Sequence, residues 1–251
     1  MSNQIVDSNK LSGGIIATAG VNTNCWYQRD DYNKFSLNGA FAGLETVLDW
    51  VMVDNFNERL FKSGIISFCG SQKSQIVKFK SPFPSNDYFT FFTPNNNVNT
   101  YTVDKKNFRF VIGSSYDMGS EISWLAIHKN LAIMTGITNP GSLFVGRRTI
   151  TTATIPLVPG KDELDITDDA DSNLNGWYNN EMIIQPTLAL DSITTDMDLE
   201  DYTVILSSNT NINNYWIEKS SDRVKIGTSY PTACEIDYMF IKTGINWWEE
   251  I

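Results

Sequence analysis

The sequence predicts an all-β protein: two tandem antiparallel six-stranded β-sandwich modules behind an N-terminal docking segment. Three observations carry that expectation. Residues 87–130 recur without a gap as residues 201–244, and 15 of the 44 aligned positions are identical. An internal repeat constrains architecture before any local signal does, because each copy is one structural unit. From Ile65 onward the chain also runs in short β-branched and aromatic stretches, broken about every 8–12 residues by Ser, Asn, Gly or Pro. Finally, 41% apolar and 12% aromatic residues in 251 supply enough material for packed cores.

The elements follow in chain order. Residues 1–60 lie outside both copies and are expected to form a docking or anchor segment. Within and just before its end, Gly39–Val53 has apolar residues at Phe41, Leu44, Val47, Leu48, Val51 and Met52, close to helical spacing. A helix is expected there, with a short strand ending in Val51-Met52-Val53 as the competitor. Residues 61–130 form the first module, with strands over Ile65–Cys69, Gln75–Lys80, Tyr88–Thr93, Thr100–Val103, Phe108–Ser114 and Glu121–His128. Alternation places Phe108, Phe110 and Ile112 on one face, and Val224 and Ile226 keep that face in the second copy. Residues 131–176 form a connector with an acidic loop, in which Ala153–Pro159 reads as an edge strand. Residues 177–251 form the second module.

Charge and cysteine usage exclude several classes of function. The net charge is −10, which disfavours a phosphate-binding surface. Cys25, Cys69 and Cys234 are odd in number and match no metal spacing, so they read as idle reduced thiols. The polar start, Met1–Lys10, is unlike a signal peptide, and no apolar run reaches the ~18 residues of a membrane span. Folding in a cytoplasm is expected. His128 is the single histidine, and Lys242 replaces it in the other copy, so it reads as a surface residue rather than a base. No nucleophile motif or phosphate-cradling loop is present, and no enzyme activity is expected.

Three polar or aromatic features stand out. Asn95, Asn97 and Asn99 recur as Asn209, Asn211 and Asn213, beside Tyr101 and Tyr215. Amides both donate and accept, so such a loop can read sugar hydroxyls, with the tyrosines as stacking faces. Asparagine also suits hairpin loops, because it tolerates left-handed backbone and forms Asx-turns. Asp171, Asn173 and Asn175 alternate ahead of Gly176, with Glu181 at the eleventh position, which is the opening of a calcium loop. Calcium is the one cofactor this pattern suggests; a solvated acidic turn is the alternative. Trp247 and Trp248 are adjacent near the end of the sequence and cannot both be buried on one strand face, so the pair is expected at an inter-subunit or protein–protein interface, with packing on the domain's own flank as the alternative.

The run IVKFKSPFPSNDYFTFF, the Asn-rich excursion, FRFVIGSS and the closing EISWLAIHK together resemble the H-type lectin fold family and the phage tail and fibre modules with the same strand pattern. That resemblance implies six-stranded sandwiches that trimerise and bind carbohydrate near loops between subunits. It implies a structural virion protein of a tailed bacteriophage, in a tail, collar or fibre, with host-glycan adhesion. Other virion proteins and further copies of the chain, as a trimer or ring, are the expected partners; nucleic acid and membrane are not. The alternatives are an architectural ring or adaptor at the head–tail junction, and a glycan depolymerase or free lectin.

Overall fold

The computed structural model describes residues 4–7, 14–20, 23–31, 34–39, 47–53, 55–68, 72–116, 121–131, 143–150, 182–184, 202–220, 223–229 and 233–242. Among these the chain is all-β, in small antiparallel sheets. The second repeat unit begins with β6 (Phe61–Ser67) and β7 (Ser74–Lys78). It continues through β8 (Tyr88–Pro94), β9 (Thr100–Lys106), β10 (Arg109–Ser114) and β11 (Glu121–His128). Its sheets have the orders β6-β11-β8 and β7-β10-β9. They share one apolar cluster in which Phe110, Ile112 and Val77 meet Phe92, Ile122 and Trp124. Strand alternation produces this: every second residue of β10 faces inward.

The third unit repeats the plan with β12 (Leu143–Ile150), β13 (Met182–Ile184), β14 (Tyr202–Ser208), β15 (Asn214–Ser220), β16 (Arg223–Thr228) and β17 (Cys234–Lys242). Its orders are β12-β17-β14 and β13-β16-β15. Val224, Ile226, Ile236, Tyr238 and Phe240 form its cluster. Of the sequence-predicted shared face, Phe110/Val224 and Ile112/Ile226 are buried, whereas Phe108 is half exposed, at 52%. The alternation ran one residue pair too far into the β9–β10 turn.

The N-terminal residues depart from expectation. They are not an arm outside the repeats. β1 (Gln4–Asp7), β2 (Gly14–Ala19), β3 (Cys25–Asp31), β4 (Lys34–Gly39) and β5 (Leu48–Val53) form sheets β1-β4-β3 and β2-β5. Among the described residues these correspond to the last five strands of the plan. The helix expected over Gly39–Val53 gives way, over Leu48–Val53, to strand β5 paired antiparallel with β2. Leu48, Trp50 and Met52 pack in one cluster with Tyr27 and Leu37 while Val51 and Val53 face the shared core, so tertiary burial overrides helical spacing.

The three units close on one another. A separate apolar cluster draws Ile16, Val51 and Val53 from the first unit, Phe61, Phe91, Leu125 and Ile127 from the second, and Ile205, Met239 and Ile241 from the third. Its members come from corresponding strands, and the contacts between units run in a cycle. Ile15 N–H donates to Ser123 Oγ at 3.3 Å, Thr90 N–H to Asp237 Oδ2 at 2.9 Å, and Val204 N–H to Asp49 Oδ2 at 2.7 Å. First unit caps onto second, second onto third, third onto first. The arrangement is an approximate threefold ring inside a single chain. Each cap occupies a backbone donor on the edge of β2, β8 or β14 that would otherwise be an unpaired strand edge.

Candidate functional site

Two features of the ring involve polar chemistry: a crevice at one end of the shared axis, and the seams between units. The crevice forms where β2, β8 and β14 end and the chain turns into β3, β9 and β15. Ala17, Phe92 and Leu206 line it, together with Asn24, Asn99 and Asn213, and Thr23, Val98 and Ile212. These are corresponding positions of the three units, so the crevice lies on the pseudo-threefold axis. Its lining is amide, hydroxyl and apolar, with no charged side chain. The cavity is about 60 Å³, room for roughly two waters and too small to bury a sugar ring.

The repeated asparagines hold this end of the molecule together. Asn95 and Glu121 bond twice: Asn95 N–H donates to Glu121 O at 2.8 Å, and Glu121 N–H to Asn95 Oδ1 at 2.7 Å. Asn209 and Glu235 do the same at 3.1 and 2.8 Å. These side-chain amides extend the ladder past the end of the strand, an Asx role. Ser115 N–H donates to Asn99 O and Asn99 N–H to Ser115 Oγ, and Ser229 and Asn213 repeat both bonds, each at 3.0 Å. Asn97 accepts from Asn24 Nδ2 at 2.7 Å, a bond between the second unit and the first. Asn211 is exposed. Tyr101 and Tyr215 lie over Gly113 and Gly227, where an added Cβ would come within 2.5 and 2.4 Å of the ring. The Ile-Gly pair repeats because a tyrosine ring occupies the space beside each glycine.

The seams carry the charge. Lys105 of the second unit reaches Asp237 of the third at 3.3 Å, and Lys219 of the third reaches Asp49 of the first at 2.5 Å. Arg147 joins Asp237 from its own unit at 2.5 Å. Burial pushes the Asp49 carboxyl above its usual value, opposed by Lys219, and pushes Lys105 below its own. The seam from first to second unit is different: Tyr27 Oη donates to Glu121 Oε1 at 2.9 Å, and Ser123 stands in the place of Asp237. The Lys105/Lys219 identity was visible in the sequence. Their partners were not, because each lysine bonds to a different unit.

The remaining expectations fall as follows. His128 is not a surface residue; it is 2% exposed, hydrogen bonded to Ser85 Oγ at 2.9 Å and beside the Phe83 ring. Burial lowers its pKa. The Cys25 thiol is pushed up to about 12 and Cys234 to about 11 by burial, far from reactive thiolates. Cys69, the calcium-loop residues Asp171, Asn173, Asn175 and Glu181, and the pair Trp247 and Trp248 lie outside the described residues. Among the described residues no cluster of three His, Cys, Asp or Glu could hold a metal, and no helix is long and apolar enough to cross a membrane. No family model, curated protein or solved structure matches this chain.

Proposed function

We propose that this chain is a structural component of a tailed-phage virion, part of a tail, collar or fibre, and that it works by presenting surfaces. One observation carries the reading: three sheet pairs of the same plan close head to tail around a common apolar core within one chain. Such a body is stiff, because each unit caps strand donors of the one before it. It offers three related outer surfaces, and repeated weak contacts add by avidity. In this reading each complete unit is a six-stranded H-type lectin-like sandwich. The threefold grouping that separate copies would make is then made by one chain, and any further assembly joins whole rings.

Glycan contact is the second reading, favoured by the neutral amide and hydroxyl lining of the axial crevice. Its small volume limits it to the edge of a sugar, so contact would involve the surrounding loops. Two experiments test the proposal. Mass spectrometry of particles purified from a host carrying the gene should recover the chain at fixed stoichiometry; its absence from intact particles sinks the virion role. A glycan array probed with the purified protein separates adhesion from pure architecture, since an architectural part leaves every spot blank.

A further inference from the structure

Residues 79–87 join β7 to β8 and belong to no strand. Pro82 and Pro84 remove two backbone donors from this segment, so a few specific bonds hold it down. Phe83 N–H donates to Asn107 O at 2.7 Å, and the Phe83 side chain is only 2% exposed. Lys62 Nζ donates to Ser81 Oγ at 3.2 Å. At the far end, Lys129 N–H donates to Asp87 O at 3.0 Å, and His128 Nε2 bonds to Ser85 Oγ at 2.9 Å. The segment is thus pinned to the end of β11 through the buried His128 ring.

The bonds to that ring fit one protonation state. Asn130 N–H donates to Nδ1 at 3.2 Å, so Nδ1 carries no hydrogen. The hydrogen of the neutral ring is therefore on Nε2, directed at Ser85 Oγ, which also accepts from Asp87 N–H at 3.1 Å. A proton added at Nδ1 sets two N–H groups against each other. The surroundings disfavour the charge as well. The Phe83 ring packs 5.8 Å from the imidazole, and Lys62 Nζ is 4.8 Å from the centre of that same phenyl ring. Arg59 and Lys129 add positive charge around His128; Asp87 opposes them, but it is exposed and paired with Lys129. Glu58 acts on Lys62, and Tyr88, opposite His128 across the sheet, is a phenol that burial holds well above its ordinary value. Once the segment lifts, water solvates the imidazolium and these penalties disappear.

We propose that His128 is an acid-sensitive latch: the neutral ring pins residues 81–87 to the end of β11, and its protonation lets that segment lift and uncover Phe83 while the sheets stay paired. Opening takes up a proton, so the open population rises about tenfold for each pH unit below 6.5, until the folded value of His128 is reached. Lys242 stands in the corresponding place of the third unit, so the titrating ring belongs to the second unit. This inference is independent of the virion role and stands or falls separately.

Hydrogen exchange on the full chain, corrected for the intrinsic effect of pH on amide exchange, tests the latch. Between about pH 6.5 and about pH 5, protection of the Phe83, Asp87, Lys129 and Asn130 amides should fall by about tenfold, while that of residues 122–127 holds. His128→Gln should remove this pH dependence, and Asp87→Asn should keep it. His128 is the single histidine, so its ring signals give a second readout that needs no variant: they should titrate below 6.5. Constant protection of the segment down to about pH 5, or a ring that titrates at or above 6.5, overturns the proposal. An unchanged pH dependence in His128→Gln, or its loss in Asp87→Asn, overturns it by assigning the effect to a carboxylate. Equal loss over residues 122–127 overturns it by making the transition global.

Discussion

Two seams of the ring are built on a lysine–aspartate pair and one on a tyrosine–glutamate hydrogen bond. The second-to-third and third-to-first seams each bury a lysine–aspartate pair, with Asp237 and Asp49 at 7% and 11% side-chain exposure. The first-to-second seam uses Tyr27, Glu121 and Ser123. The backbone geometry is the same in all three; the chemistry differs. The contrast shows that the cyclic cap needs only an oxygen at the acceptor position. A carboxylate there brings a desolvation cost, and a lysine from the neighbouring unit offsets it. At the first-to-second seam the cap is the Ser123 hydroxyl, so the capping group itself brings neither term.

The axial cluster is common to all seams, so the largest effect should come from breaking it. Phe91→Ala should cost about 3–5 kcal/mol in urea unfolding. Loss of the shared cluster is also expected to split one cooperative transition into several. A single unshifted transition would mean the units are stable independently.

Next comes the charged seam. Lys219→Ala leaves Asp49 buried without its partner and should cost about 3 kcal/mol, while pairing Lys219→Met with Asp49→Asn should recover most of that loss. The comparison at the first-to-second seam is Tyr27→Phe, expected at about 1 kcal/mol. Equal losses from Lys219→Ala and Tyr27→Phe would remove the distinction drawn between the seams.

Titration sharpens it further, because two buried groups act with opposite signs. The folded pKa of His128 lies below 6.5, so its contribution is present above pH 6.5 and lost as pH falls through the folded value. His128→Gln should flatten that loss. The folded pKa of Asp49 lies above 3.8, so its contribution is full below 3.8 and lost as pH rises through the folded value. Asp49→Asn should remove that rising-pH loss, read from unfolding free energy across acid to neutral pH. The smallest effect is expected at the loop amides. Asn95→Ala and Asn209→Ala should each cost about 1 kcal/mol, and by similar amounts, because each accepts one matching backbone bond.

Much of the second and third units was legible. Alternation and the repeat placed Phe110/Val224 and Ile112/Ile226 in cores, and both copies bear it out. The first unit was missed because its residues no longer match the repeat. Where the other copies have Tyr101 and Tyr215 opposite Gly113 and Gly227, it has Trp26 opposite Asn38. Its strand β5 also carries helical spacing. His128 was misread because Lys242 stood in its place, and a lysine in one copy says little about burial in the other.

The sequence by itself determined the strand-rich character, the repeat and the inward faces, because these depend on local composition and a period of two. Only the tertiary structure decided that a third, diverged unit closes the ring, and that Lys105 and Lys219 meet aspartates of other units. Those facts depend on contacts between residues up to 188 positions apart. Pairing at that range leaves no local pattern, since each partner alone looks like an ordinary polar residue on a strand.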